Sequence, residues 1–178
     1  MKKRLVVSTF AFCCVALLAG AGQAFGQGAF SSVTGKTFDG ALPAQFYLEG
    51  NAIPTEKRNS SLLTTPSGHR FLTGLLDTSG YSSQVQMKYM GFIINEAPLT
   101  LCGKPLGAGS FGFGMKKPAD NSPADATLFL YDQGGKEVSQ CMVKKDMALQ
   151  HPVPLQVILK GEKAANLALG RYIVEIRP

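Results

Sequence analysis

A strict alternation of large apolar residues with glycine is the strongest constraint that this sequence places on its fold. One segment alternates large apolar residues with glycine, in the order Phe111, Gly112, Phe113, Gly114 and Met115. Because successive side chains of a β-strand point to opposite faces of the sheet, this segment has one apolar face and one bare face. We therefore predict a strand whose bare face is packed closely by another part of the chain.

Short apolar runs separated by turn-forming residues predict further strands along the chain. These runs cover residues 45–49, 71–76, 92–94, 99–101, 127–131, 137–143, 155–160 and 167–176. Gly134 and Gly135 lie between two of the runs, which favours a hairpin. Since the runs are short and evenly spaced, the sequence predicts a mainly β fold, either an antiparallel β-sandwich or a small barrel with one or two short helices.

Two segments differ from this β pattern. Residues 82–90 place Val85 and Tyr89 at helical spacing, which predicts one short helix that depends on tertiary support. Residues 51–68 are polar and contain two prolines. We expect a loop there, with at most one helical turn over residues 56–63.

The first residues have the composition of a secretory signal peptide. Lys2, Lys3 and Arg4 form a basic start, and the apolar run that follows is about 15 residues long, shorter than the ~20 that cross a bilayer. Small residues then fit the cleavage site of a signal peptidase. The sequence therefore predicts a signal peptide over residues 1–26, a single β-rich domain over residues 27–178, and no membrane span after cleavage.

The charge of the chain gives no indication of a nucleic-acid partner. Its formal net charge is +6, but residues 1–26 hold three of the 18 basic residues and none of the 12 acidic ones, so cleavage leaves +3. The remaining cations are dispersed along the sequence. We expect them to form a solvated surface that does not bind nucleic acid.

Two cysteines remain after signal cleavage, namely Cys102 and Cys141. An exported protein meets an oxidising compartment, so we expect these two residues to form a disulfide. Closing a loop of about 40 residues stabilises a fold by roughly 2 to 4 kcal/mol. Two buried free thiols or a redox pair are the alternatives, although a redox pair normally has the C-x-x-C spacing that lowers the pKa of one thiol.

The sequence contains no recognisable catalytic constellation, and we assign no catalytic or cofactor-binding residue. Residues 107–112 match G-x-G-x-x-G, but the alternating strand follows them where a dinucleotide site needs a helix. Ser67, His69 and Asp77 are the best candidates for a hydrolytic set. None of the serines lies in a G-x-S-x-G elbow, and neighbours in sequence rarely have triad geometry.

Methionines give a weak indication of metal binding. Met87 and Met90 could hold Cu(I) through two thioethers, with further donors from Met142, Met147 and His151. Methionine more commonly fills gaps in a core. We therefore assign no metal ligand.

Residues 99–115 read LTLCGKPLGAGSFGFGM and resemble the strand–turn–strand segment of small exported bacterial proteins of unknown function. In that group a β-run, G-K-x-L and A-G-x-[YF] recur in β-sandwich-like domains. This sequence departs from the pattern by carrying Gly107 where many such segments carry proline. The resemblance implies a β fold and export, and it implies no activity, cofactor or site residue.

These observations lead us to expect an exported, periplasmic or secreted, non-enzymatic β-domain. Its partner would be an unknown protein or small molecule, bound through loops or an exposed strand edge. The alternatives are a small extracytoplasmic hydrolase or metal-handling protein, and an envelope structural protein.

Overall fold

The computed structural model describes residues 28–117 and 125–178, so the predicted signal peptide lies outside the described residues. The helices are α1 (Gly35–Ala41) and α2 (Ser83–Lys88). The strands are β1 (Ser31–Val33), β2 (Gln45–Leu48), β3 (Asn51–Thr64), β4 (Arg70–Leu76), β5 (Gly91–Asn95), β6 (Leu99–Leu101), β7 (Lys104–Leu106), β8 (Gly109–Lys116), β9 (Ala126–Tyr131), β10 (Glu137–Lys145), β11 (Val153–Leu159), β12 (Ala165–Gly170) and β13 (Tyr172–Arg177).

The strands form one antiparallel sheet that curls into a nearly closed barrel. Their spatial order is β1, β3, β4, β5, β8, β9, β10, β13, β12 and β11, while β2 extends from β3 and the β6–β7 hairpin attaches to β13. At the far end of this order, β11 lies beside β3 and β4. The structure confirms the predicted mainly β fold with two short helices.

Alternation along the central strands creates two apolar cores, one on each face of the sheet. On β5, Ile93 belongs to the inner core of the barrel and Phe92 to an outer core. The outer core is covered by α1, β2 and α2, which we call the outer layer. The buried residues of the outer core are Phe46, Leu48, Ile53, Leu62, Leu72, Leu76, Val85, Tyr89 and Phe92.

The bare face of β8 is where the outer layer approaches the sheet most closely. A Cβ atom on Gly114 would lie 2.0 Å from the carbonyl oxygen of Lys88, and one on Gly112 would lie 2.9 Å from the δ-methyls of Leu48. On the opposite face, Phe113 is fully buried in the inner core. The structure therefore confirms that another part of the chain packs closely against the glycines.

The loop predicted for residues 51–68 is wrong, because β3 covers most of this segment. β3 pairs with β2 through its first residues and with β4 and β1 through its last ones. Leu62 and Leu63 alternate between the outer and inner cores, and no helical turn forms over residues 56–63. The polarity of the segment reflects solvent exposure of a long strand, which sequence polarity alone does not distinguish from a loop.

Residues 167–176 form parts of two strands, whereas the sequence predicts a single run. Gly170 has a left-handed φ of 64° and ends β12, so that Tyr172 starts β13 antiparallel to it. Glycine adopts this φ without steric cost, which allows the sharp reversal.

The disulfide between Cys102 and Cys141 forms as the sequence predicts. It joins the turn between β6 and β7 to β10, with a Cα–Cα distance of 6.1 Å and a separation of 39 residues. Both cysteines pack against the inner core. The covalent bond therefore fixes the β6–β7 hairpin to the barrel wall.

Replacing both cysteines with serine should lower the free energy of unfolding by about 2 to 4 kcal/mol, because the unfolded chain regains the freedom of this loop. Urea unfolding of residues 27–178, followed by far-UV circular dichroism, measures the change. Thiol titration of the denatured wild-type protein should detect thiols only after reduction. Detection of free thiols in the denatured protein before reduction would show that the disulfide does not form.

The Gly114→Ala variant should be destabilised by about 2 kcal/mol, since the added methyl group collides with the Lys88 backbone. Gly80→Ala is the matched control, because a Cβ atom there has no heavy atom within 4 Å. Urea unfolding of both variants checks the difference. Equal stability of the two would show that α2 does not lie against β8.

Candidate functional site

The structure does not bring Ser67, His69 and Asp77 together. Ser67 and His69 lie in the turn between β3 and β4, where the Ser67 Oγ is 3.0 Å from the Thr65 Oγ1. Asp77 follows the opposite end of β4 and accepts hydrogen bonds from the backbone and hydroxyl of Ser79. At about 3.3 Å per residue, the extended β4 keeps His69 and Asp77 roughly 25 Å apart.

Met87 and Met90 do not converge either. Met87 lies on α2 and is 81% exposed, whereas Met90 packs against the inner core. The two thioethers therefore lie in different environments. Over residues 28–117 and 125–178, no group of three or more histidine, cysteine, aspartate or glutamate side chains could hold a metal ion.

A groove with an aromatic floor lies beside the outer layer, on the outer face of β8 and β9. We call it the aromatic groove. Its volume is about 490 Å³, and its lining residues are Met87, Lys88, Gly114, Met115, Lys116, Phe129 and Tyr131. Two other surface clefts, of about 420 and 450 Å³, lie next to Ser67 and next to the disulfide.

Strand register explains why the floor of the aromatic groove is both aromatic and open. Phe129 and Tyr131 leave the outer face of β9, because Leu128 and Leu130, which alternate with them, enter the inner core. Their partners on β8 are glycines, with Gly114 opposite Phe129. Since glycine has no side chain, the space beside the rings is not filled from β8.

The two rings of the floor are stacked with nearly parallel planes, and we call this pair the platform. The centroids of Phe129 and Tyr131 are 6.4 Å apart, and the ring planes differ by 16°. Tyr131 also meets the edge of the Tyr89 ring, with centroids 5.4 Å apart. The buried Tyr89 therefore supports one end of the platform from the outer core.

A polar cluster of Glu49, Lys88 and Tyr89, which we call the polar clamp, fixes one wall of the aromatic groove. Lys88 donates to the Glu49 Oε1 and, over 2.7 Å, to the Gly135 carbonyl oxygen. Tyr89 donates its hydroxyl hydrogen to the same Glu49 oxygen over 2.8 Å. The Lys88 Nζ also lies 4.9 Å from the centroid of the Tyr131 ring. These contacts attach the end of α2 to the β9–β10 hairpin.

Backbone conformation places the carboxylate of the polar clamp. Glu49 has a left-handed φ of 50° in the turn between β2 and β3, and its N–H donates to the Gln133 carbonyl oxygen over 2.8 Å. Gly135 has a φ of 82°, and a Cβ atom there would lie 1.7 Å from the Glu49 Oε1. Only glycine at this position leaves room for the carboxylate.

Two groups of the polar clamp, Glu49 and Tyr89, have pKa values that are shifted away from neutrality. Hydrogen bonds from Lys88 and then Tyr89 lower the pKa of the Glu49 carboxyl from its ordinary 4.5. Burial, followed by the hydrogen bond to Glu49, raises the pKa of Tyr89 far above its ordinary 10.0. The pKa of Tyr131 is raised by burial and by the charge of Glu137. The groove therefore has an ionised carboxylate in its wall and protonated phenols around its floor.

The sequence did not indicate the aromatic groove or the polar clamp. From the sequence, Phe129 and Tyr131 are members of an ordinary predicted strand. The alternation of β8 predicts a closely packed bare face, but it does not identify the segment that packs against this face. One signal was available, since the aromatic residues of β9 alternate as the glycines of β8 do. Placing them side by side requires the register between the strands, which the sequence does not state.

No protein-family model matches the chain, and no curated protein or solved structure matches it either. Within the described part of the chain, neither helix is long and apolar enough to cross a membrane.

The Glu49→Gln variant should lower the free energy of unfolding at pH 7 by about 1 to 2 kcal/mol, because Lys88 and Tyr89 lose a charged acceptor. The folded state lowers the pKa of Glu49, so its contribution is present above pH 4.5 and is lost as the pH falls through the folded pKa. Urea unfolding at several pH values should show the deficit shrinking towards acid. A deficit that does not change with pH would contradict the role of the charge.

Proposed function

We propose that this protein is an exported, non-enzymatic binding module, periplasmic or secreted, whose ligand or partner occupies the aromatic groove. The observation that carries the proposal is the platform of Phe129 and Tyr131, whose rings are half-buried and line an open groove. The outer layer buries Phe92 on the same side of the sheet, yet it ends beside β8 and leaves this aromatic pair accessible from solvent. An open apolar recess with polar groups at its margin is typical of a binding site.

Exposed apolar side chains near the platform support an interaction surface. Met87 is 81% exposed beside it, and Met142 and Val138 on the neighbouring β10 are 62% and 46% exposed. Contiguous exposed apolar groups are typical of interaction sites. Methionine in particular adapts its shape to different partners.

The protonation states of the polar clamp support binding over acid–base catalysis. A general acid or base works best with a pKa near the operating pH. The pKa of Glu49 is lowered and that of Tyr89 is raised, so both move away from neutrality. Such groups hold a wall in place and present a constant charge pattern to a ligand.

Export is supported by the cysteine chemistry and by the composition of residues 1–26. The bond between Cys102 and Cys141 is compatible with an oxidising compartment outside the cytoplasm. The basic start and the apolar run of residues 1–26 have the order of a secretory signal.

The dye 1-anilinonaphthalene-8-sulfonate should bind the folded mature chain in the aromatic groove and become fluorescent there. Phe129→Ser should lower the affinity for the dye by about tenfold, since one ring of the platform is lost. The matched control is Tyr47→Ser, which removes a 58% exposed aromatic ring from β2. Fluorescence titration measures both, and thermal unfolding verifies that the variants are folded.

Two results would contradict the proposed site. The first is a folded wild-type protein that does not increase the fluorescence of the dye. The second is equal weakening by Phe129→Ser and Tyr47→Ser, which would show that the dye reports general surface apolarity.

A further inference from the structure

We propose that the ligand of the aromatic groove is a saccharide chain that carries carboxylate groups. This inference rests on the proposed function and specifies the chemistry of its ligand. It follows from the shape of the floor, the hydrogen bonding of the strands below it, and the charge around it.

The floor suits ring-shaped ligands with apolar faces. Phe129 and Tyr131 present ring planes that differ by only 16° and centroids 6.4 Å apart. The face of an aromatic ring carries partial negative charge and attracts the slightly positive C–H groups of a sugar ring. A sugar ring can therefore pack its C–H face against this aromatic pair.

Backbone pairing disfavours an extended peptide on this floor. β8 is paired on both sides, with β5 and β9, and β9 is paired on both sides, with β8 and β10. The N–H and C=O groups under the aromatic groove are thus used within the sheet. A peptide lying on the rings would bury its own amides without partners, which is costly. A sugar instead turns a C–H face to the rings and its hydroxyls to the margins.

The margins offer partners for those hydroxyls. On the outer face, Gln140 of β10 lies opposite Phe129, and Thr127 of β9 lies opposite Lys116 of β8. Both Gln140 and Thr127 line the adjacent cleft beside the disulfide, and the Thr127 hydroxyl donates to the Met142 Sδ over 3.4 Å, so that its oxygen remains an acceptor. Amide, hydroxyl and ammonium groups can together donate and accept hydrogen bonds at the edges of a sugar ring. They flank the platform and leave its centre apolar.

Charge selects the acidic subclass of saccharides. Lys88 is already paired with Glu49, whereas Lys116 forms no ion pair with any residue of the ranges 28–117 and 125–178. Lys144 continues the outward-facing alternation of β10 from Met142 and is exposed. The end of the groove at Lys116 therefore has an excess of positive charge, which a carboxylate on the chain can neutralise.

The test uses tetragalacturonate as the acidic probe and maltotetraose as its uncharged counterpart, both titrated into the folded mature chain by calorimetry and by displacement of the dye. Tetragalacturonate should bind and displace the dye, and its affinity should fall as salt is added. Phe129→Ser should weaken it by about tenfold. Lys116→Gln should weaken it by roughly threefold or more and reduce its salt dependence.

Matched controls separate the groove from the rest of the surface. Tyr47→Ser removes an exposed ring from the outer layer, and Lys160→Gln removes an exposed cation that follows β11. Both should leave the affinity for tetragalacturonate unchanged. Loss of affinity in either control equal to that in Phe129→Ser or Lys116→Gln would overturn the assignment.

The outcomes distinguish this inference from the proposed function. If the dye binds in a Phe129-dependent manner but neither saccharide displaces it, the saccharide assignment is overturned and the binding site stands. Displacement by maltotetraose as effective as that by tetragalacturonate would overturn the requirement for carboxylates. Displacement by an octaglutamate peptide and by neither saccharide would assign the groove to acidic peptides instead. Absence of dye binding would remove the proposed function and this inference together.

Discussion

The contact between the Lys88 carbonyl group and the bare backbone at Gly114 organises the outer side of this molecule. It requires a strand without side chains on one face, because any Cβ atom at Gly114 would lie 2.0 Å from that oxygen. The close approach places the end of α2 directly on the sheet. From there Tyr89 enters the outer core and Lys88 reaches Glu49 and Tyr131. The burial of Tyr89, the ion pair between Lys88 and Glu49, and the wall of the aromatic groove all depend on this one backbone contact.

The same contact defines where the outer layer ends. The outer face of β4 and β5 is covered and contains Leu72 and Phe92 at 4% and 0% exposure. One strand beyond β8, Phe129 and Tyr131 on β9 are only half-buried and line the groove. A single sheet face is therefore divided into a part that stabilises the fold and a part that is available to a ligand. The polar clamp lies between the outer core and the aromatic groove and contacts both.

Local patterns in the sequence predicted the features that depend on neighbouring residues. The alternation of β8, the hairpin around Gly135 and the helix over Ser83–Lys88 are all of this kind. β3 was missed because its polar residues are explained only by the strands that pair with it. The polar clamp could not be predicted, since Glu49 and Lys88 are 39 residues apart and meet through the register of several strands. The aromatic groove depends on the same non-local information.

Hydroxyl-radical footprinting of folded residues 27–178 tests the division of the outer face most directly. It compares residues of one type, so that intrinsic reactivity cancels. In the folded protein we expect Phe129 to be oxidised faster than Phe92, and Tyr47 faster than Tyr89, with these differences lost on unfolding. Oxidation of Tyr89 as fast as that of Tyr47, or protection of Phe129 equal to that of Phe92, would contradict this division.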